Sequence, residues 1–275
     1  MSKKSKKNRV APESFGLARV GVESHAHLDM EGFAPEEIPG VLERAAAAGV
    51  ARVGNVFLGP GAYFRNRALF DAHPEVFFIL GTHPTDCAGY VDGDIGGLER
   101  AFSEDPRLRA VGEIGLDFYW DDAPPQDQER AFRDQLAFAR ERELPVVIHC
   151  RDAEADAFRI LLDMGFRDRP LLWHCFGGDA AMAERIFSYG WRLSVPGPVT
   201  YRKNEALAAA VAGMDLSLVM LETDSPYLTP EPYRGKRNEP AYVVFTAVKV
   251  AELMGRPLDE VWRATGENAL AFFGL

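Results

Sequence analysis

Short apolar segments alternate with amphipathic segments from one end of the sequence to the other. Helical spacing is clearest over 125–142, where Phe132, Leu136 and Ala139 recur after two prolines, and over 179–189, which stops before a glycine. The apolar segments are predicted strands at residues 19–26, 51–58, 76–82, 109–115, 145–150, 170–175, 191–195 and 218–224. Regular alternation of strands and helices predicts a parallel sheet covered by helices.

Eight such units, without a long linker, an obvious repeat or a low-complexity block, favour one closed (β/α)8 TIM barrel over an open sheet. The doubly wound alternative lacks its G-x-G-x-x-G sequence after the first strand. Residues 240–254 and 258–273 both have helical patterns, and the second is predicted to be an extra C-terminal helix over the barrel wall. We therefore expect a basic, disordered tail over 1–18 and one barrel domain over 19–275.

The charge of the chain limits the ligands that it can bind. The formal net charge of the 275 residues is −10, although residues 1–9 contain five basic residues and no acidic one. The rest of the chain is therefore strongly acidic and would repel a long polyanion, but a local cationic pocket could still hold a phosphate. The basic tail is predicted to be solvated, with steering of nucleic acid as the alternative.

Cellular location and thiol chemistry follow from simple features. No apolar run approaches the roughly 20 residues that span a bilayer, and no secretory apolar region follows the basic start. We expect a cytoplasmic protein with no membrane association and no obligate protein partner. Cys87, Cys150 and Cys175 do not form an even set, so reduced thiols are expected. Cys150 and Cys175 each follow a strand histidine and should point to the opposite, core side.

Histidines and carboxylates collect at the predicted strand ends, where the active sites of barrels lie. Glu113 belongs to the fourth strand and Asp224 ends the eighth, whereas His73 precedes a proline at a helix end and is predicted to have no special role. Five of the six histidines fall at strand ends: His25, His27, His83, His149 and His174. A barrel would bring all these positions together around one axis.

His25 and His27 lie two residues apart, and the strand period of two points both imidazoles to the same side. Taken alone, the pair could be two ordinary histidines at a strand end. Whether the pair binds a metal ion therefore depends on which residues lie at the other strand ends. Four imidazoles and two carboxylates suit a pair of divalent ions, with Glu113 able to bridge them. The predicted ligands are His25, His27, Glu113, His149, His174 and Asp224, and magnesium, manganese and zinc all remain open as the metal.

The motifs HAHLD, GTHP, GEIGLD, IHCR, HCFGG and ETDSPYL together resemble those of the TatD family of metal-dependent deoxyribonucleases, within the amidohydrolase superfamily. The resemblance runs from about residue 20 to the C-terminus and includes PYRGKRNEP and NALAFFGL. One departure is Glu23, where family members more often have aspartate. The resemblance implies a TIM-barrel hydrolase whose first ion is held by His25, His27, Glu113 and Asp224, and whose second is held by Glu113, His149 and His174.

The resemblance also implies an activity, namely 3′–5′ exonucleolytic cleavage of single-stranded DNA or RNA ends. Two ions can stabilise both the attacking and the leaving oxygen of a phosphodiester. Asp224 is the expected proton acceptor from the attacking water, with a purely structural ligand as the alternative. His83 could contact the phosphate or protonate the leaving oxygen, or it could simply be tied to the backbone.

Substrate contacts are predicted at the same end of the barrel. Arg151 shares the face of His149 and could meet the substrate or a nearby carboxylate. Tyr227 and Phe176 could stack on a base, and Asp29 and Asp117 could orient ligand imidazoles or cap turns. The sequence YRGKRNEP contributes a phosphate-binding loop or a solvated charge cluster, formed by Arg234, Lys236 and Arg237.

Other functions use the same ligands. A D-aminoacyl-tRNA deacylase or an amidohydrolase of small cyclic amides or esters would also need an activated water, and the ligands do not choose between carbon and phosphorus. The cationic loop favours a phosphate-bearing substrate but does not separate DNA from tRNA. A non-catalytic barrel that binds nucleic acid or protein is disfavoured, because all six expected ligand positions are filled.

Overall fold

The fold is that of a computed structural model, which describes residues 9–90 and 93–275. Within these residues, eight parallel strands form one sheet in sequence order, which confirms the predicted TIM barrel. Each predicted strand has its counterpart. The strands are β1 Gly21–Ala26, β2 Val50–Leu58, β3 Val76–Gly81, β4 Leu108–Asp117, β5 Val146–Arg151, β6 Leu171–Trp173, β7 Arg192–Val195 and β8 Val219–Leu221.

Helices connect the strands and cover the outside of the sheet. They are α1 Ile38–Ala47, α2 Pro60–Asn66, α3 Gly93–Glu104, α4 Pro125–Glu141, α5 Glu154–Asp163, α6 Ala180–Phe187, α7 Glu205–Ala212, α8 Val243–Met254 and α9 Leu258–Phe273. Short 3-10 turns lie at Pro12–Phe15, Pro35–Glu37, Arg67–Phe70, Pro84–Asp86, Gly197–Thr200, Leu216–Leu218 and Pro240–Tyr242. The predicted C-terminal helix is confirmed as α9.

Apolar side chains fill the inside of the barrel at the N-terminal ends of the strands. Phe272 and Phe273 from α9 close this end, and the ring of Phe273 lies 4.6 Å from that of Phe77 in β3. The inward-facing members of this core include Val22, Val56, Phe77, Ile79, Ala110, Val147, Leu172 and Met220. Because this end is filled, polar side chains that point inward collect at the opposite end, where the strands terminate.

The first and last strands close the sheet. Ala26 pairs with Ser225 in a parallel bridge, and the hydroxyl of Ser24 donates to the carbonyl of Leu221 at 2.9 Å. The buried carboxyl of Glu23 accepts from the backbone N–H of Thr223 at 3.0 Å. Glu23 therefore links β1 to the segment after β8.

The N-terminal segment divides into two parts. Residues 1–8 of the predicted tail lie outside the described residues. From residue 9 onward the chain contacts the barrel, because Arg9 donates to the carbonyl of Pro232 at 2.9 Å and Leu17 is buried in the core. Residues 9–18 of the predicted tail therefore include contacts with the barrel. Among the described residues, no helix has both the length and the apolar character needed to cross a membrane.

Gly115 in β4 is expected to tolerate no side chain. Its φ is +146°, and a Cβ there would lie 2.0 Å from the carbonyl oxygen of His149. We expect Gly115→Ala to destabilise the fold by about 3 kcal/mol or more, because strain and overlap act together. Urea unfolding measures this. Gly96→Ala in α3 is the matched control, since nothing lies within 4 Å of its Cβ; equal midpoints for the two variants would contradict the prediction.

Candidate metal centre

The six predicted ligands form one cluster at the C-terminal ends of the strands. His25 lies in β1, Glu113 in β4 and His149 in β5. His27 and His174 directly follow β1 and β6, and Asp224 comes a few residues after β8. Most of the cluster is buried. The exceptions are the side chains of His149 and Asp224, with exposed fractions of 17% and 16%. The cluster is therefore accessible to solvent on the side of these two residues.

The two carboxylate oxygens of Glu113 face two different groups of imidazoles. Oε2 lies 3.2 Å from Nε2 of His25 and 3.7 Å from Nε2 of His27. Oε1 lies 2.6 Å from Nδ1 of His149 and 2.7 Å from Nε2 of His174. Glu113 thus contacts both groups of imidazoles, with Oε1 at direct hydrogen-bonding distance from the second group.

The spacing within the first group fits a common ion. Nε2 of His25 lies 3.2 Å from Nε2 of His27, and Oδ1 of Asp224 lies 3.3 Å from Nε2 of His27 and 3.9 Å from Nε2 of His25. Ligand atoms bound at about 2.1 Å from one ion lie about 3.0 to 3.4 Å apart in octahedral or tetrahedral geometry. These donors could therefore hold one divalent ion with little rearrangement.

Outer hydrogen bonds orient two of the imidazoles. Nδ1 of His27 donates to the carbonyl of Val56 at 3.1 Å, so its Nε2 carries the lone pair that points into the cluster. Nε2 of His149 donates to Oδ2 of Asp117 at 2.8 Å, which leaves Nδ1 facing Glu113. Metal-binding histidines usually have such an outer acceptor. Asp117 contacts His149 as the predicted orienting role requires, and it also accepts from the backbone after β4, as the alternative of a cap requires.

His174 has a carboxylate behind it that the sequence analysis missed. Oε1 of the buried Glu222 lies 3.4 Å from Nδ1 of His174, and its Oε2 accepts from the hydroxyl of Ser194 at 2.5 Å. A carboxylate in this position favours a proton on Nδ1 and a lone pair on Nε2. Glu222 lies two residues before Asp224, which is the same spacing as that of His25 and His27. This spacing is the signal that could have identified Glu222 from the sequence.

His83 has the opposite hydrogen-bonding arrangement. Its Nδ1 accepts from the backbone N–H of Thr85 at 3.2 Å and lies 2.6 Å from the hydroxyl of the same residue. A neutral His83 must therefore carry its proton on Nε2, which lies 3.6 Å from Oε1 of Glu113. In this tautomer Nε2 has no lone pair to offer, and His83 would need the other tautomer to bind an ion together with Glu113 and His149.

The electrostatics of the cluster keep its carboxylates charged. Burial favours the neutral form of Glu113, but the imidazoles of His174, His83 and His25 hold its pKa well below the usual range. Burial is likewise outweighed at Asp224, where the hydrogen bond with His27 lowers the pKa. Burial disfavours protonated His174, yet Glu113 and Glu222 raise its pKa well above the usual value. At neutral pH the carboxylates are thus ionised, as ligands of a cation must be.

The chain matches a known family over nearly its whole length. The sequence model of the family described as TatD related DNase matches residues 22–274. The chain belongs to the TatD family. It is therefore a metal-dependent hydrolase, which agrees with the composition of the buried cluster.

Individual relatives support this membership. The metal-dependent hydrolase YabD of Bacillus subtilis is 35% identical over 251 residues, which cover 91% of this chain and 98% of YabD. A protein of Pectobacterium carotovorum named 3′-5′ ssDNA/RNA exonuclease TatD is 33% identical, and the alignment covers 86% of this chain and 92% of that protein. The crystal structure of YjjV, a TatD homologue of Escherichia coli, superposes with a TM-score of 0.86 at 28% identity, covering 93% of this chain and 98% of YjjV.

The predicted cationic loop of this TatD-family chain is only partly free. The guanidinium of Arg237 donates to Glu37 at 2.8 Å and to the carbonyl of Gly32 at 2.6 Å, so its charge is already compensated. Arg234 lies over the ring of Tyr201, 4.2 Å from the centroid. Among the described residues, neither Arg234 nor Lys236 forms an ion pair within 4.0 Å, and both side chains are exposed.

The other residues considered in the sequence analysis differ in their exposure and in their partners. Tyr227 is 49% exposed near Asp224, whereas Phe176 is fully buried and has no free face for a base. Asp29 accepts hydrogen bonds from the amides of Asn55 and Asn66 and orients no imidazole. His73 lies 3.2 Å from Glu75 and away from the cluster. Arg151 is exposed at the end of β5, where its guanidinium stacks on the ring of Tyr119.

Proposed function

We propose that this chain is a two-metal 3′–5′ exonuclease that removes nucleotides from the ends of single-stranded DNA or RNA. The observation that carries the proposal is Glu113, whose two oxygens face two separate groups of imidazoles. The name of the Pectobacterium relative, a 3′-5′ ssDNA/RNA exonuclease, supports the substrate and the polarity. Magnesium, manganese and zinc are all compatible with the donor set.

The chain would hold one ion with His25, His27, Asp224 and Oε2 of Glu113, and the other with His149, His174 and Oε1 of Glu113. Two such ions supply an activated water and positive charge beside the scissile phosphate. Asp117, Glu222 and the carbonyl of Val56 keep the ligand nitrogens aimed inward. This leaves the partly exposed side, at His149 and Asp224, for the substrate.

Asp224 is the proposed proton acceptor from the attacking water. Its Oδ1 lies 3.3 Å from Nε2 of His27, while 16% of its side chain remains exposed on the substrate side. The carboxylate can therefore contact both the first ligand group and an incoming water. Its depressed pKa keeps it in the basic form at neutral pH.

His83 is the proposed hydrogen-bond donor to the negative charge that develops on the phosphate or the leaving oxygen. The N–H of Thr85 fixes Nδ1 as the acceptor, so Nε2 presents its proton toward the cluster. A donor placed in this way stabilises charge that develops in the transition state, and removal of one such donor typically costs about 10²- to 10³-fold in kcat.

We expect His83→Ala to lower kcat by about 10²-fold, because the variant removes this hydrogen-bond donor. Metal content should not change, since Nε2 of His83 is not a lone-pair donor. Steady-state hydrolysis and elemental analysis of the same sample measure both quantities. His73→Ala, at a histidine outside the cluster, is the control and should behave as wild type; loss of an ion from His83→Ala would instead make His83 a ligand.

The function is tested with metal-stripped protein to which magnesium, manganese or zinc is restored in turn. One substrate is single-stranded DNA labelled at its 5′ end, the other is D-tyrosyl-tRNA, and Glu113→Ala is the inactive control. The proposal predicts a ladder of shortening labelled DNA that is absent with the variant. Intact DNA with rapid release of the amino acid would assign the site to tRNA deacylation, and turnover of neither would point to small amides or esters.

A further inference from the structure

An exposed aromatic segment lies beside the metal cluster, directly after β4. Tyr119 is 54% exposed and Trp120 is 53% exposed, and the preceding Phe118 is 39% exposed. The three other tryptophans are buried in the core: Trp173, Trp191 and Trp262. Consecutive exposed aromatic rings are costly unless they have a partner, so this segment calls for a ligand with an apolar face.

The segment is held to the cluster by a single carboxylate. Oδ1 of Asp117 accepts from the backbone N–H of Tyr119 at 2.9 Å and of Trp120 at 3.0 Å. Oδ2 of the same residue accepts from Nε2 of His149 at 2.8 Å. The backbone N–H of Phe118 also donates to the carbonyl of Arg151 at 2.9 Å. The aromatic rings are thus anchored within one side chain of a proposed metal ligand and need little ordering when a ligand binds.

Arg151 adds a positive charge to the same surface. Its guanidinium carbon lies 3.7 Å from the ring centroid of Tyr119 and 5.8 Å from that of Trp120. The two rings stand edge to face, 4.9 Å apart at 87°. Among the described residues, Arg151 has no carboxylate within ion-pair distance. In a chain with a net charge of −10, an exposed arginine without a counterion favours an anionic ligand.

We propose that Tyr119, Trp120 and Arg151 form a nucleotide shelf, on which an unpaired base next to the scissile phosphate stacks while Arg151 pairs with a phosphate. This assignment rests on the proposed nuclease function. A base inside a duplex has both faces covered by its neighbours, and a base at a duplex end is still paired, so the shelf favours single strands, whose bases can turn toward it. Because every base has an aromatic face, stacking imposes little sequence preference.

The first test measures nucleotide binding to the shelf in the absence of hydrolysis. Trp120 is the exposed tryptophan, so its emission should be quenched when a base stacks on it. Thymidine 5′-monophosphate is the probe, and 2-deoxyribose 5-phosphate, which keeps the phosphate but lacks the base, is the matched control. We expect quenching of the metal-loaded wild type by the first compound only, and none in Trp120→Phe. Equal responses to both compounds, or no response to either, would overturn the shelf.

The second test measures KM and kcat on single-stranded DNA. Tyr119→Ala and Trp120→Ala should each raise KM by about tenfold to a hundredfold, the loss expected for one stacking contact, with kcat within about twofold. A terminal abasic site should raise KM of the wild type to a similar extent. Arg151→Ala should raise KM as well. Arg167→Ala is the matched control, because this exposed arginine stacks on Tyr189, 4.7 Å from the centroid, near the opposite ends of the strands.

The two tests separate failure of the shelf from failure of the nuclease assignment. Wild-type hydrolysis with unchanged KM in Tyr119→Ala and Trp120→Ala, and with abasic DNA, would reject the shelf and leave the nuclease in place. Absence of any DNA hydrolysis by wild type would reject the nuclease, while base-dependent quenching would still support the shelf as a nucleotide-binding surface.

Discussion

Glu113→Gln should lose both ions and reduce hydrolysis by about a thousandfold or more. Glu113 is the residue whose two oxygens face both groups of imidazoles, at 3.2 Å from His25 and 2.6 Å from His149. Glutamine has the same shape but no charge, and its amide nitrogen cannot bind a cation. A loss of about 4 kcal/mol in the transition state, of the size that metal ions supply, corresponds to this factor.

The measurement pairs elemental analysis of ions per chain with hydrolysis of labelled single-stranded DNA. Circular dichroism checks that the barrel is still folded. Glu141→Gln makes the same substitution at the exposed end of α4 and should leave metal content and rate unchanged. Two retained ions in Glu113→Gln would show that this carboxylate does not bridge them.

Asp224→Asn should be almost as damaging to the rate but should affect the metals differently. Its Oδ1 lies near the first ligand group only, at 3.3 Å from His27 and 3.9 Å from His25. The variant should therefore bind the first ion weakly, keep the second ion and lose the proton acceptor, with a fall in kcat of about a thousandfold. Asparagine is the suitable substitution, because Asp224 has a φ of +57° and asparagine adopts this left-handed conformation readily.

Titration of zinc or manganese into the metal-stripped variant measures the two affinities separately. Asp163→Asn, on the exposed surface of α5, is the control for loss of one negative charge. A variant that binds both ions with wild-type affinity and hydrolyses DNA at the normal rate would exclude both roles of Asp224. The contrast with Glu113→Gln, which should lose two ions instead of one, tests the division into two ligand groups.

The strand ends could be predicted because the barrel architecture converts sequence position into spatial position. His25, Glu113 and Asp224 are far apart in sequence. His25 and Glu113 lie in the C-terminal halves of β1 and β4, and Asp224 comes shortly after β8, so a closed sheet brings them together. The predicted bounds of the last helix, 258–273, agree with α9 for a related reason, since its apolar spacing matches the face that closes the barrel.

What could not be predicted depends on contacts between distant segments. The ion pair of Arg237 with Glu37 joins residues 200 positions apart, so no local pattern excludes Arg237 as a free cation. The opposite hydrogen bonding of His83 and His149 is equally invisible, because both are histidines at strand ends. Burial of Phe176 and exposure of Trp120 likewise follow from loop paths that composition does not encode.

The first ligand group joins the two ends of the barrel. The backbone N–H of Asp224 donates to the carbonyl of His25 at 3.0 Å, and that of His27 donates to the carbonyl of Ser225 at 2.8 Å. During synthesis, His25 leaves the ribosome long before Asp224 is added to the chain. A nascent or prematurely terminated polypeptide therefore lacks this group, and the candidate metal site stays incomplete until the last strand has been translated.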